Sequence, residues 1–282
     1  MALKPKIAIV GAGNLAQALA VSLRQAGYAI DEVISRNRLA SLRRARRLAR
    51  EVGARAVTAS HAQLHARVVW FCVPDGQITE AARSLARAGW KGRIALHSSG
   101  ALTSDELDPL RRRGAAVASA HPLMTFVRRS RPALVRVPFA LEGDRTAVHT
   151  ARDIVADLGG ESFAIPKTKK AAYHAWGMFA SPLLIALLAA TERVAQAAGV
   201  SRLAARRRMW PILVQTLAHY HILGPAAAFS GPLVRGDAAT VRRHLLVLRQ
   251  VPGCREVYLA LARLALLDLP VKNRSVLQKI LK

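Results

Sequence analysis

The chain opens with a short apolar run that leads directly into a glycine-rich turn and a helix. Residues 6–10, Lys-Ile-Ala-Ile-Val, are typical of a buried strand, and residues 11–16, Gly-Ala-Gly-Asn-Leu-Ala, follow the pattern Gly-x-Gly-x-x-Ala. The first glycine permits the tight turn, the second lets the backbone approach a pyrophosphate, and Ala16 lets the helix pack closely on the strand. The free N–H groups at the start of a helix over 15–26 attract phosphates. The residues expected at a dinucleotide here are Gly11, Gly13, Asn14 and Leu15.

Strands and helices alternate through the first half of the chain. Strands are expected at 6–10, 32–35, 56–58, 68–73, 93–97, 116–120, 137–142 and 162–165. Helices are expected at 15–26, 39–52, 78–88, 104–113 and 146–158. This alternation predicts an α/β fold with a doubly wound, mostly parallel Rossmann sheet.

From residue 167 no strand pattern recurs, and helices are expected at 169–198, 202–220, 238–248, 255–267 and the C-terminus. We therefore expect a dinucleotide-binding Rossmann domain at 1–166 and an all-α substrate or dimerisation domain at 167–282. Residues 175–191 carry no charge, but the stretch is short for a membrane span and contains Gly177 and Pro182. We therefore expect this stretch to be a core helix, buried within a homodimer that forms through the helical domain. We expect no membrane association.

The formal net charge of +26 arises from separate arginine clusters, at 43–50, 111–113, 128–131, 206–208 and 242–243. None of them is interleaved with aromatic residues as a base-stacking surface would be. We therefore expect solvated helix faces that attract an anionic cofactor and a small anionic substrate, and no specific nucleic-acid site. A basic nucleic-acid-associated protein is a third interpretation.

The remaining composition indicates a reduced, cytoplasmic, globular protein. The chain is 52% hydrophobic and 21% charged, and no apolar leader precedes the first strand. Cys72 and Cys254 have neither disulfide nor metal spacing, and His219 and His221 lie two apart and cannot share a helix face. We expect no metal.

The end of the second strand distinguishes between the two nicotinamide cofactors. NAD-binding sheets usually place an acid there for the ribose hydroxyls, whereas this chain has Ser35, Arg36 and Asn37, and its acids Asp31 and Glu32 come too early. A guanidinium with a flanking hydroxyl and amide suits a ribose 2′-phosphate. The pattern predicts NADP(H), unless Arg36 is an ordinary surface arginine.

The carboxyl ends of the strands at 68–73, 93–97 and 116–120 are further places where ligands bind in such sheets. The cofactor-binding residues expected at the first two of these ends are Val73, Pro74, Ser98 and Gly100. We expect Ser99 and the Gly100 backbone to contact the nicotinamide or the substrate, with His121 as a polar or proton-relay group. Alternatively, His97 and His121 are strand-end residues satisfied by backbone hydrogen bonds.

Five further motifs occur in order along the chain. They are His97-Ser-Ser-Gly-Ala-Leu, His121-Pro-Leu-Met-Thr-Phe, Pro138-Phe-Ala-Leu-Glu-Gly, Lys170-Ala-Ala-Tyr-His-Ala and Gly231-Pro-Leu-Val-Arg-Gly-Asp. Together with the opening turn and Ser-Arg-Asn they resemble the pyrroline-5-carboxylate reductase and β-hydroxyacid dehydrogenase class. More narrowly, the chain resembles, over nearly its full length, the Rossmann-like NADP oxidoreductases of the deazaflavin-coenzyme-dependent type, which have a helical C-terminal domain. Two departures are Met124, where the family has Gln, and Pro182, where it has Asn.

The resemblance also suggests roles on the first long helix. In related dehydrogenases a lysine early on this helix faces the nicotinamide, which implies that Lys170 polarises the substrate, with His174 as an alternative acid. The alternative is a solvated basic helix start that includes Lys167 and Lys169.

A second candidate substrate site is the loop 231–237. Its backbone donors and Arg235 would hold a substrate carboxylate, and Asp237 is expected to cap the next helix.

These expectations combine into one function and one alternative. The first is an NADPH-dependent oxidoreductase that reduces a small keto- or imino-acid by hydride transfer. The alternative is a non-catalytic NADP-binding sensor or partner protein with a degenerate active site, favoured by the departures at Met124 and Pro182.

Overall fold

The computed structural model describes residues 4–87, 89–128 and 130–282. By its internal contacts the chain divides into two compact units, Met1–Met178 and Phe179–Lys282.

The first unit is built around one eight-stranded sheet. Its strands are β1 (Ile7–Val10), β2 (Ile30–Ser35), β3 (Arg55–Thr58), β4 (Val68–Phe71), β5 (Ile94–His97), β6 (Ala116–Pro122), β7 (Pro138–Gly143) and β8 (Glu161–Ala164). The strand order is β3-β2-β1-β4-β5-β6-β7-β8, and every pair is parallel except β6 with β7. The prediction of a mostly parallel, doubly wound sheet is confirmed.

The first five α-helices of the chain connect strands of this sheet, and the sixth follows the last strand and extends past the end of the unit. They are α1 (Asn14–Gln25), α2 (Leu39–Val52), α3 (Ile78–Leu85), α4 (Asp108–Arg111), α5 (Arg145–Asp157) and α6 (Lys170–Ala180). Successive residues of a strand face opposite sides of the sheet, so Ile7 and Ile9 join one buried core while Ala8 and Val10 join the other. Burial on both faces explains why the central strands β1, β4 and β5 are short, almost entirely apolar runs.

Two predicted helices of this unit differ from the structure. The helix expected at 78–88 ends at Leu85, and Ala88 lies outside the described residues, as does Arg129 of the cluster 128–131. The helix expected at 104–113 is a 3-10 turn, Ser104–Leu107, followed by the four-residue α4. The side chain of Thr103 accepts a hydrogen bond from the Asp105 N–H, as a capping residue should.

The second unit is helical. It contains α7 (Pro182–Ala197), α8 (Arg202–Ala228), α9 (Pro232–Arg235), α10 (Ala238–Leu248), α11 (Cys254–Asp268) and α12 (Arg274–Ile280). Residues of its last three helices form a small apolar core that includes Val241, Leu259 and Leu277. Glu192 of α7 is buried and accepts two hydrogen bonds from Arg206 of α8, at 2.7 and 3.1 Å.

Two long helices were predicted with different bounds. The helix expected at 169–198 is interrupted at Ser181, because Pro182 has no N–H to donate and begins α7 at its N-terminus. The helix expected at 202–220 continues to Ala228, with a kink at Gly224 whose φ is 76°.

The apolar segment around this interruption is exposed. By length and composition alone Lys167–Ala197 would be long and apolar enough to cross a membrane, with a mean hydropathy of 1.5. Within α6 and α7, only Lys170, Tyr173 and Glu192 are buried. Most apolar side chains of both helices therefore face outwards in the single chain, and the expectation that a homodimer buries them stays a prediction.

Candidate functional site

The glycine turn between β1 and α1 is built as the sequence predicts. Gly11 has a φ of +108°, and a methyl group on its Cα would lie 2.5 Å from the Cys72 carbonyl oxygen, so only glycine fits. No atom lies within 4 Å of the corresponding position on Gly13. Gly13 precedes α1 without a side-chain cap, and the first turn of α1 carries no acid. The first N–H groups of α1 therefore face an open approach, which fits a pyrophosphate.

Two other predicted residues of this turn make contacts within the protein. The Asn14 side-chain amide donates to the Phe126 carbonyl at 3.0 Å, which ties the turn to the segment after β6. Leu15 is half-buried and packs against the core on one face of the sheet. At the adjacent strand end, Val73 is half-buried with a methyl carbon 3.2 Å from the methyl position on Gly11, and Pro74 is exposed.

The end of β2 is cationic. Ser35 is buried, while Arg36 and Asn37 are exposed, and Arg36 makes no ion pair within the described residues. The carboxylate of this strand is committed elsewhere, because Glu32 is fully buried and paired with Arg55 at 2.7 Å. A free guanidinium with a neighbouring amide suits an extra phosphate group on a dinucleotide.

A compact hydrogen-bond network forms the loop after β5. His97 is completely buried, its Nδ1 accepts the Ser99 N–H at 3.1 Å, and its Nε2 donates to the Thr103 carbonyl at 2.9 Å. Burial lowers the pKa of His97 to about 4, so the ring is neutral. Both ring nitrogens of His97 are thus hydrogen-bonded to the backbone, which agrees with the alternative interpretation of this histidine as a strand-end residue.

Ser99 also serves the loop. Its hydroxyl donates to Asp75 Oδ2 at 2.8 Å and accepts the Leu102 N–H at 2.9 Å. Ser98 is partly buried and its hydroxyl accepts the Trp70 indole N–H at 2.8 Å. In this structure the Ser99 hydroxyl therefore holds the loop in place, which differs from the predicted direct contact with nicotinamide or substrate.

Lys170 is buried beneath the same loop. Its side chain is among the largest fully buried ones, at 1% exposure, and Nζ donates to the Ser99 carbonyl at 2.7 Å and to Ser119 Oγ at 2.6 Å. Burial lowers the pKa of its ammonium group to about 8. The predicted role of polarising the substrate directly does not match this geometry, because the ammonium group is covered and two of its hydrogens are already donated.

His121, Tyr173 and His174 converge on Gly100. His121 Nδ1 lies 2.7 Å from the Tyr173 hydroxyl, and a methyl group built on Gly100 would lie 2.9 Å from His121 Nε2 and 2.8 Å from His174 Cδ2. Burial and, next in size, the charge on Lys170 together lower the pKa of His121 to about 4. The structure thus brings together the predicted residues Ser99, Gly100, His121, Lys170 and His174.

Three participants were not among the predicted site residues. Ser119 is a buried serine within an apolar strand, which is the signal that would have identified it. Asp75 follows a strand end, and Tyr173 lies one turn along α6 from Lys170. Their roles depend on contacts between different strands and helices, which spacing within one segment does not reveal.

The predicted substrate loop belongs to the second unit. Asp237 caps α10 as expected, accepting the Thr240 N–H at 3.0 Å, and this bond holds the pKa of its carboxyl below the usual value. Arg235 is exposed at the end of the short helix α9. Within the described ranges, no three His, Cys, Asp or Glu side chains are placed to hold a metal ion.

Comparison with known proteins agrees with this architecture. Residues 2–122 match the Rossmann-like domain, and residues 137–265 match a domain of unknown function, DUF2520. A search of curated proteins found no match.

Several solved structures are similar over nearly the full length. A Bacteroides fragilis protein described as a candidate NADP oxidoreductase is 21% identical, with a TM-score of 0.76 over 92% of this chain and 97% of its own. A Thermotoga maritima protein is 25% identical, with a TM-score of 0.73 over 98% of this chain and 100% of its own. A reductive aminase from Aspergillus terreus, in complex with NADPH and ethyl-5-oxohexanoate, is 15% identical, with a TM-score of 0.69 over 99% and 100%. This likeness is one of fold.

Proposed function

We propose that this protein is an NADPH-dependent oxidoreductase that reduces the C=O or C=N group of a small keto- or imino-acid. The observation that carries the proposal is the placement of the glycine turn, the cationic end of β2 and the His121–Tyr173 pair around one sheet, at the carboxyl ends of its parallel strands. Ligands of doubly wound sheets bind at these ends. Two proteins of similar fold support the same proposal, one described as a candidate NADP oxidoreductase and one as a reductive aminase in complex with NADPH.

The cofactor-binding roles follow from the geometry. The backbone at Gly11 and Gly13 and the start of α1 would hold the pyrophosphate, while Arg36 would pair with the ribose 2′-phosphate. When bound, NADPH supplies the hydride that reduces the substrate carbon. The remaining predicted cofactor contacts are Asn14, Leu15, Ser35, Asn37, Val73, Pro74, Ser98 and Gly100.

The substrate is proposed to be a small anion. The formal net charge of +26 attracts anions from a distance, and Arg235 is exposed in the second unit. Lys170 acts by fixing the loop that carries Ser99 and Gly100, since its ammonium group donates to that loop from below.

We also propose that the protein functions as a cytoplasmic homodimer. The long helix α8 exposes Trp210, Ile212 and Ile222 at 65%, 63% and 74%, more apolar surface than a lone soluble chain normally shows. Most soluble oligomers are homo-oligomers with twofold symmetry, so a second copy is the proposed cover. Both cysteines are buried and free, as in a reducing compartment.

The cofactor assignment is tested by titrating NADPH and NADH into wild-type protein, Arg36→Ala and Arg152→Ala. Arg152 is exposed on α5 and makes no ion pair within the described residues, so its replacement matches the change in net charge. We expect Arg36→Ala to weaken NADPH at least about tenfold, since one charge-assisted phosphate pair contributes about 1.5 kcal/mol or more. Both variants should bind NADH with the wild-type Kd, and Arg152→Ala should also bind NADPH with the wild-type Kd.

Failure of the wild-type protein to bind either nucleotide would overturn the oxidoreductase proposal. Tight NADPH binding without turnover of any keto- or imino-acid would favour the alternative, a non-catalytic NADP-binding sensor. A steep salt dependence of binding to unrelated duplexes would instead support the nucleic-acid interpretation.

A further inference from the structure

The hydrogen bond between Tyr173 and His121 has a defined direction. Tyr173 is 5% exposed, and within the described residues His121 Nδ1 is the only hydrogen-bond partner of its hydroxyl, at 2.7 Å. A buried O–H without an acceptor would be costly, so the phenol donates and Nδ1 accepts. A neutral imidazole that accepts at Nδ1 carries its own proton on Nε2.

The Nε2 side of the His121 ring packs closely against Gly100. A methyl group on Gly100 would lie 2.9 Å from Nε2 and 2.8 Å from His174 Cδ2, too close for a carbon atom, so only glycine lets both rings take these positions. Nε2 has no hydrogen-bond partner among the described residues. Among the described residues, the buried side-chain nitrogen and oxygen atoms without a hydrogen-bond partner are Asp31 Oδ2 and Arg255 Nε, so His121 Nε2 still reaches solvent. One N–H donor of a half-buried histidine is therefore accessible to a bound molecule, beside the loop that Lys170 holds.

We propose that Tyr173 is the proton source of the reduction and passes its proton through His121 to the substrate oxygen or nitrogen. This inference rests on the proposed reductase function. As the substrate carbon receives the hydride, the π electrons of its C=O or C=N bond move to the heteroatom, which takes the proton from His121 Nε2. Nδ1 takes the phenol proton in the same step, so the imidazole stays neutral and a phenolate is left. After the product leaves, Nδ1 returns this proton to the phenolate while Nε2 takes a proton from water, which restores the starting state.

The electrostatics of the pair suit such a relay. Burial raises the pKa of Tyr173 to about 12, so the phenol keeps its proton until a strongly basic alkoxide or nitrogen anion begins to form. Burial and the nearby Lys170, His174 and His97 lower the pKa of His121 to about 4. A neutral imidazole can accept at one nitrogen while it donates at the other, whereas an imidazolium could only donate.

The second unit contains a pair that serves as a matched control. The Tyr258 hydroxyl lies 3.2 Å from His244 Nδ1, and the rings meet edge to face as those of His121 and Tyr173 do. His244 is exposed and outside the proposed site. Tyr258→Phe therefore removes the same chemical group from the same kind of contact without touching the relay.

The experiment combines imidazole nitrogen NMR with kinetics on wild-type protein, Tyr173→Phe and Tyr258→Phe. In the wild type, without any ligand, we expect His121 to show a single tautomer with its proton on Nε2. Tyr173→Phe should convert this signal to a tautomer mixture, lower turnover at least about 100-fold and leave the Kd for NADPH unchanged. Tyr258→Phe should leave the His121 signal, turnover and NADPH binding at wild-type values.

The outcomes separate this inference from the function on which it rests. If wild-type protein turns over and Tyr173→Phe retains its rate, the relay is wrong while the reductase function stands. A wild-type His121 with its proton on Nδ1 overturns the relay even if Tyr173→Phe does not fold. Absence of NADPH binding by the wild type removes the reductase function and the relay with it.

Discussion

At the scale of single residues, Lys170 couples the site to the stability of the fold. Burial lowers the pKa of its ammonium group to about 8 in the folded protein, from 10.5. Between these values the unfolded chain holds a proton that the folded chain has lost, so the free energy of unfolding rises with pH by about 3 kcal/mol across the window. We expect Lys170→Met to abolish this rise, measured by urea unfolding at about pH 7 and about pH 10.

The comparison of wild type with Lys170→Met isolates the contribution of Lys170 to the pH dependence of stability. Burial raises the pKa of the Cys72 thiol to about 12, which lowers stability above about pH 9 equally in both. In the variant the Ser119 hydroxyl still donates to the Ser99 carbonyl at 3.1 Å, so neither oxygen is stranded. An identical pH response in wild type and Lys170→Met would show that the lysine is not buried as a charge.

At the scale of elements, the β1–α1 turn separates what folding requires of glycine from what a dinucleotide requires. At Gly11 an alanine methyl would meet the Cys72 carbonyl at 2.5 Å and force a φ of +108° on an alanine. We expect Gly11→Ala to cost at least about 2 kcal/mol of unfolding free energy, because such strain costs 1–3 kcal/mol before the clash is counted. Urea unfolding curves measure the loss.

Gly13 provides the matched control within the same turn. Its φ of −76° and ψ of −173° suit alanine, and no atom lies within 4 Å of the new methyl group. We expect Gly13→Ala to change stability by less than about 0.5 kcal/mol while weakening NADPH at least about tenfold, because the methyl group occupies the approach of the pyrophosphate. Unchanged NADPH affinity in Gly13→Ala would contradict the assigned site.

Elements that are determined by local sequence patterns are the ones that the sequence predicts correctly. The β1–α1 turn and helix α2 are set by local patterns, and both match the structure. The direction of the Lys170 side chain, by contrast, depends on the Ser99 carbonyl in the loop after β5 and on the Ser119 hydroxyl in β6, which lie 71 and 51 residues away in sequence. No pattern within α6 carries that information, and the resemblance to related dehydrogenases implies a contact with the substrate instead of one with the loop.

At the scale of the whole molecule, charge and apolar surface act against each other. Two copies with a formal net charge of +26 each repel, whereas covering the exposed apolar residues of α8 favours association. Salt screens the repulsion and leaves the apolar contact intact. The proposed homodimer should therefore tighten as salt is raised, the reverse of what binding to nucleic acid would show.

We expect light scattering to give the mass of a dimer for the wild type and of a monomer for Ile212→Glu, because a buried glutamate without a partner is strongly unfavourable. Leu39→Glu is the control, since Leu39 on α2 is 66% exposed and Ile212 is 63% exposed. Dilution series measure the dimer dissociation constant at each salt concentration. Raising the salt from about 0.05 M to about 0.5 M should lower this constant for wild type and Leu39→Glu alike. A monomeric wild type at every salt concentration would contradict the homodimer, and flotation of that monomer with lipid vesicles would assign the apolar surface to a membrane.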